Sequence, residues 1–240
     1  MLIKFFRPEH VQMFLDGNLY FSNTGYFIDL EEKLGEKGIG DKHEGSFFRV
    51  LDPQKHQMYI EVGGKKIKVD FDRGYVTERY DAAREFQLTC FTSILEEEME
   101  WVNENTKKIK DEVIEQLEKE FSGRVPVLVT NENELFDKIH NVLEPKGIRA
   151  LHGHVKYFDE QVGSTLEEEI YKKDITQAFF YKRNFFKTQK EYRIITSHPV
   201  EGGSMTLNLG DIKECVFNLE SFDNLKELTL QTIKKEEVES

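Results

Sequence analysis

The chain has few cysteines, prolines and tryptophans, with two, five and one respectively in 240 residues. It also lacks a surplus of positive charge, with 33 Lys and Arg against 45 Asp and Glu. Cys90 and Cys215 each lie inside an apolar run. They are too few for a disulfide framework and have no zinc-ligand spacing, so both read as small core residues and no metal site is assigned. No apolar run approaches the about 18 residues that a spanning helix needs. The opening Met1-Leu2-Ile3-Lys4-Phe5-Phe6-Arg7 turns polar too soon for a signal peptide. The expectation is a cytoplasmic protein without membrane partners. A formal charge of −12 counts against a protein that coats nucleic acid, because phosphate binding is driven by Lys and Arg. A local basic patch from Lys182, Arg183, Lys187, Lys190 and Arg193 stays open.

What the chain does have is apolar mass. Hydrophobic residues make up 38% and phenylalanine alone counts 19, enough for one substantial core despite 32% charged residues. Leu2 to Phe6 reads as a strand, Pro8 opens a helix that Gly17 closes, and Leu19 to Ser22 returns as a strand. Asn23 to Glu44 is polar and Gly-rich and reads as a long connection. Alternating polarity on either side of Gly63-Gly64 predicts a hairpin over 57–71. Phe86 to Thr92 is a strand, and Leu95 to Phe121 carries apolar residues at helical spacing, a long amphipathic helix begun by Glu96-Glu97-Glu98. Val125 to Thr130 is a strand, and Asn131 or Asn133 caps a helix to Leu143. An extended stretch from Ile148 to Phe158 follows, then a short helix around 166–172. Phe179 to Tyr181, Glu191 to Thr196, Met205 to Leu209 and Glu214 to Leu219 read as strands. The expected fold is α+β, with a mixed, largely antiparallel sheet, the long helix and several shorter helices. It forms one domain over 1–233, with a charged flexible tail over 234–240.

The densest candidate for chemistry is Phe185 to Ile195. On a strand, Gln189, Glu191 and Arg193 share one face. Such a face is either a solvated surface or a carboxylate set rigidly between an amide and a guanidinium, as catalytic sites prefer. Other candidates have plain alternatives. Asp41-Lys42-His43-Glu44-Gly45 suits a turn as well as a ligand, and His152 and His154 share a strand face without a third ligand. Asp41, Glu44, Asp70, Asp72, Glu191 and Arg193 could serve a Mg²⁺-dependent nuclease. Phe179-Phe180-Tyr181 and Phe185-Phe186 suit core packing better than stacking on a base.

Four blocks together carry a resemblance: Asp16 to Ser22, Leu88 to Ser93, Gly153 to Tyr157, and Lys182 with Phe185-Phe186 and Glu191-Tyr192-Arg193-Ile194. As a set they resemble a prokaryotic and phage domain-of-unknown-function family related to AbiGi-type abortive-infection proteins. This chain departs from that pattern after Ser93, where a Glu-rich segment with Trp101 replaces the family's Trp–His–Tyr-like block. The resemblance implies phage–host conflict inside a bacterial cell, with a toxin, effector or host factor as protein partner. More distantly, Gln189-Lys190-Glu191 is similar to the late-strand motif of ADP-ribosyltransferases of the Arg–Ser–Glu type. That likeness implies NAD as cofactor, with Glu191 at the nicotinamide ribose, Gln189 at the acceptor and Ser93 as the orienting hydroxyl. It makes Lys4, Arg7, Thr92 and Arg193 the candidates around the cofactor. The non-catalytic alternative is a protein-binding module such as an antitoxin or inhibitor.

Overall fold

A computed structural model describes residues 1–36 and 38–233. The first strands and helices are β1 (Leu2–Phe6), α1 (Pro8–Leu15), β2 (Asn18–Asn23) and α2 (Thr24–Leu34). Then come β3 (Phe47–Leu51), β4 (Met58–Val62), β5 (Lys65–Val69), β6 (Gly74–Glu78), β7 (Gln87–Ser93), β8 (Met99–Asn103) and β9 (Thr106–Ile109). The middle holds α3 (Asp111–Glu120), β10 (Val125–Val129), α4 (Glu132–Leu143), β11 (Ala150–His154), β12 (Lys156–Phe158) and α5 (Glu168–Lys173). The last part holds β13 (Tyr181–Arg183), β14 (Glu191–Thr196), β15 (Ser204–Asn208), β16 (Val216–Asn218), α6 (Phe222–Glu227) and β17 (Thr229–Gln231). The tail expected over 234–240 lies outside the described residues.

Among the described residues an eight-stranded sheet runs in the order β11-β14-β7-β1-β10-β16, with β2 also on β7 and β15 on β2. Its pairings are antiparallel, whereas β12 and β13 pair in parallel outside it. This is the α+β, largely antiparallel architecture that the pattern of elements implies. The sheet is covered on both faces. On one, Leu2, Phe91, Val127 and Ile194 pack against Val11 and Phe14 of α1 and Leu135, Ile139 and Leu143 of α4. On the other, Ile3, Phe5 and Leu128 meet Val113, Ile114 and Leu117 of α3 and Phe222 and Leu225 of α6. Each such large apolar side chain contributes about 1.5–3 kcal/mol by burial.

Local chemistry explains the elements. Pro8 stands in the first turn of α1, where its missing N–H costs nothing. The Asn131 side chain accepts the Glu134 N–H at 3.1 Å and caps α4. Its apolar residues at 135, 139 and 143 then face the sheet at i, i+4, i+8 spacing.

Three expectations are corrected. The connection from Asn23 to Glu44 contains α2, capped by the Asn23 side chain, which accepts the Gly25 N–H at 2.8 Å. One inward position of α2 is Glu31, a carboxylate, so the apolar periodicity that would reveal the helix is broken. The long helix over Leu95 to Phe121 is instead a 3-10 turn at Glu96–Glu98, the hairpin β8–β9 and the shorter α3. Asn103-Glu104-Asn105 makes the turn: the Asn103 side chain accepts the Asn105 N–H at 3.1 Å, local bonding that competes with a helix. Across the hairpin the Lys107 ammonium lies 4.1 Å from the Trp101 ring centroid. Finally, Phe179 and Phe180 belong to a 3-10 helix, Ile175–Phe180, and only Tyr181 starts a strand.

Candidate functional site

β14 lies between β11 and the central strand β7, and Glu191 faces Thr92 while Arg193 faces Cys90. Paired residues in an antiparallel ladder project to the same side, so Glu191, Arg193, Cys90 and Thr92 share one face. There the cover is not α-helical. The 41–46 segment, β13 and the 3-10 helix Asn184–Gln189 close over it and bring in further charges.

Glu191 is 7% exposed and Arg193 1%. The Arg193 Nε donates to Glu191 Oε2 at 2.7 Å, and its Nη1 and Nη2 donate to Glu44 Oε1 and Oε2 at 2.6 and 2.9 Å. Lys182 Nζ donates to Glu191 Oε1 and to Gln189 Oε1. The backbone N–H of Glu191 donates to Tyr157 Oη at 2.8 Å, and Cys90 Sγ lies 3.4 Å from Glu191 Oε2. Beside this group, Arg183 bonds both Glu31 and Asp41. Four buried carboxylates (Glu31, Asp41, Glu44 and Glu191) thus meet three buried cations (Lys182, Arg183 and Arg193).

Gly45 is the hinge that aims Glu44 inward. It takes φ +65°, and a Cβ there would come within 2.4 Å of the Phe179 ring, so only glycine fits.

The environment sets the protonation states. Burial opposes charge on Glu191, but Arg193 and Lys182 overcome it by attraction and hydrogen bonds and hold its carboxyl well below the usual range. Burial pushes the Glu44 carboxyl up despite Arg193, with Asp41 adding to the rise. Burial and the Glu191 charge push the Cys90 thiol up to about 12. The same two causes raise the Tyr157 phenol.

The expected transferase set is only partly assembled. Gln189 and Glu191 converge on Lys182, and the Thr92 hydroxyl donates to Gln189 O at 3.1 Å. Arg193 contacts Glu191 directly. Ser93 and Lys4 do not join them. Ile3 pairs with Thr92 and Thr92 with Glu191, so the next residues in each chain, Lys4 and Ser93, point to the opposite face. There Lys4 Nζ donates to Thr89 Oγ1 at 2.8 Å and to Cys90 O at 2.7 Å. Burial, the main cause, brings its pKa down to about 8. Arg7 stands exposed before α1, outside the charged cluster. Gln189 is also not on the strand itself: it ends the 3-10 helix, and Lys190 follows with φ +48°.

Other readings change as well. The basic patch is absent as such, since Lys182, Arg183 and Arg193 are buried in ion pairs and Lys190 pairs with Glu98. The solvated-face reading fails on burial for Glu191 and Arg193, while Gln189 is half-buried, and Asp41 to Glu44 is more than a surface turn. Asp70 and Asp72 are exposed on or beside the β4–β5 hairpin, away from the buried acids. Among the described residues no group of three His, Cys, Asp or Glu side chains is arranged to hold a metal ion. Also among them, no helix is long and apolar enough to cross a membrane. From sequence, Lys182 and Arg183 read as part of a basic patch and Asp41 and Glu44 as a turn or a metal site, not as a buried ion-pair cluster. Its signal is two adjacent cations inside the run Phe179 to Phe186, where burial forces charges to find partners.

Neither of two surface grooves opens onto Glu191. One, of about 430 Å³, lies along 217–229, and the other, of about 460 Å³, lies along β11. No family model, curated protein or solved structure matches the chain.

Proposed function

We propose that the chain is a protein-recognition domain that uses the β4–β5 hairpin as its contact face, and that the buried charged cluster fixes the fold behind it. The observation that carries this reading is the sidedness of the hairpin. Ile60 pairs with Ile67, and Met58, Val62 and Val69 lie on the same face by period two. Ile60, Val62 and Ile67 are 53%, 62% and 55% exposed. A two-stranded hairpin is marginal by itself in water, and a contiguous exposed apolar face is the mark of a contact site. Lys65 lies on this face opposite Val62, at its turn end, whereas Lys66 and Lys68 sit on the other face opposite Glu61 and Tyr59, so the face suits a partner with an apolar centre and an acidic group at that end. By the resemblance above, that partner is a toxin, effector or host factor in phage–host conflict, with this chain in an antitoxin-like or inhibitor role.

The test is phage plating on bacteria expressing the chain. The wild type changes plating relative to empty vector, and the Ile60→Lys/Val62→Lys variant, folded by circular dichroism, loses the effect. No wild-type effect removes the phage–host context. A retained effect in the variant removes the hairpin as contact face.

A second reading has one specific observation in its favour, the convergence of Gln189, Lys182 and Glu191. In an ADP-ribosyltransferase-like site, Glu191 would stabilise an oxocarbenium-like ribose. Gln189 Nε2 lies against Gly38 O at 3.2 Å, so NAD would require the 38–41 segment to move aside. Release of nicotinamide from NAD by the purified protein, abolished in Glu191→Gln, would establish this reading. Absence of release across pH 6–9 (~the working range of such carboxylates) would remove it.

A further inference from the structure

Strand β11 is the outer strand of the main sheet and pairs only with β14 among the described residues. Val155 N donates to Glu191 O at 2.9 Å and Ser197 N to Arg149 O at 2.8 Å, so the odd-numbered residues turn their backbone polar groups toward β14. Ala150, His152 and His154 therefore turn theirs outward. A free row of this kind is a template for another strand, which natural proteins normally blunt or cover.

Here the row opens into the groove of about 460 Å³, walled on the far side by Asp174, Gln177, Phe180 and Tyr181. The two faces of the edge differ chemically. On one, His152 and His154 stand beside Tyr192, with the His152 Nδ1 and Tyr192 Oη 2.6 Å apart. On the other, Gly153 offers no side chain, and a Cβ there would sit 3.6 Å from the Phe180 ring. Lys156 closes one end, its ammonium 5.2 Å from the Tyr181 ring centroid.

We infer that the β11 edge is a strand-addition site for an extended segment of another protein that alternates acidic and apolar side chains. Main-chain bonds to Ala150, His152 and His154 would supply affinity, and the two faces would select side chains. Carboxylates belong beside Lys156, the cation that faces Asp174 across the groove, and beside the His152 and His154 imidazoles, whose ring N–H groups are hydrogen-bond donors. Apolar side chains belong against Phe180 and Tyr181. A second copy of the chain fits less well, because it would bring its own groove wall against this one and meet like groups with like. This site is independent of the hairpin.

The probe is a short fluorescein-labelled peptide alternating valine and glutamate, with a valine–lysine peptide as its counterpart. Anisotropy reports binding, and hydrogen exchange reports which amides become protected. The expected result is binding of the glutamate peptide with new protection at His152 and His154, while Leu151 and Gly153 stay as protected as before. His152→Pro removes one outward N–H and leaves the ladder to β14 intact, as proline at an edge permits; binding should fall at least ~10-fold, the scale of one lost hydrogen-bonded contact. Lys156→Glu should weaken the glutamate peptide and improve the lysine peptide, and it carries the test if the proline variant misfolds. Failure of the glutamate peptide to bind, protection elsewhere, or unchanged preference in Lys156→Glu overturns the inference. So does concentration-dependent protection of His152 without peptide, which would assign the edge to a second copy.

Discussion

Arg193 holds Glu44 in a two-pronged grip, Nη1 to Oε1 at 2.6 Å and Nη2 to Oε2 at 2.9 Å, across 149 positions of sequence. Parallel N–H···O bonds of this kind are the strongest and most directional ion pairing available to side chains. The grip ties the segment before β3 to the centre of the sheet, and Arg193 Nε reaches Glu191 from the same guanidinium. Removing Arg193 leaves two buried carboxylates without their shared cation. Arg193→Met is expected to destabilise the fold by about 3–5 kcal/mol, read from urea unfolding. A loss under about 1 kcal/mol would mean that water reaches the cluster and the charges are solvated.

Acid should act through Glu191. Its carboxyl is held below the usual range in the folded protein, so the stabilisation is present above the unfolded value of about 4.3 and is lost as pH falls below it. Thermal unfolding between pH 6 and 3 (~the carboxylate range) should show a shallower decline in Glu191→Gln than in the wild type. Equal slopes would place the acid sensitivity in other carboxylates.

Lys4 works in the opposite range. Its pKa is brought down to about 8 from the model-compound value of 10.5, chiefly by burial, with Arg124 lowering it and Cys90 and Glu191 opposing. The unfolded chain therefore binds more protons there between these values, and stability rises with pH across that window. Lys4→Met should flatten the rise in Tm between about pH 8 and 10.5, the interval spanned by the shift. An unchanged rise would assign it to another group.

Cys90 should be chemically quiet. Burial and the Glu191 charge push its thiol up to about 12, and the thiolate is the reactive form. Cys215, pushed up to about 11 mainly by burial, is expected to behave likewise. Iodoacetamide at pH 8 should label neither thiol in the native protein and both in urea. Rapid native labelling of Cys90 would show that the cover over Glu191 opens.

Legibility in the sequence followed local chemistry. The hairpin at 63–64, the proline start of α1 and the Asn131 cap each act within a few residues, and each was readable. α2 was not, because Glu31 occupies an inward position made tolerable by Arg183, 152 residues away, and by the Lys42 N–H. The helix expected through 95–121 failed because a turn of two asparagines outweighs apolar spacing that a helix and a hairpin can both satisfy. For the site, period two correctly joined Glu191 and Arg193. The same period separates Ser93 from Thr92 and Lys4 from Ile3, and only the sheet register shows which member of each pair faces Glu191. Asp41 and Glu44 looked like turn formers because their partners are remote in the chain.

The central claim is that the chain recognises a protein and that Glu191 is a structural member of a closed cluster. The direct measurement is phage plating with Glu191→Gln, grown at a temperature where circular dichroism shows it folded. The account predicts an effect equal to wild type. Loss of the effect in the folded variant would contradict it and make Glu191 a functional carboxylate.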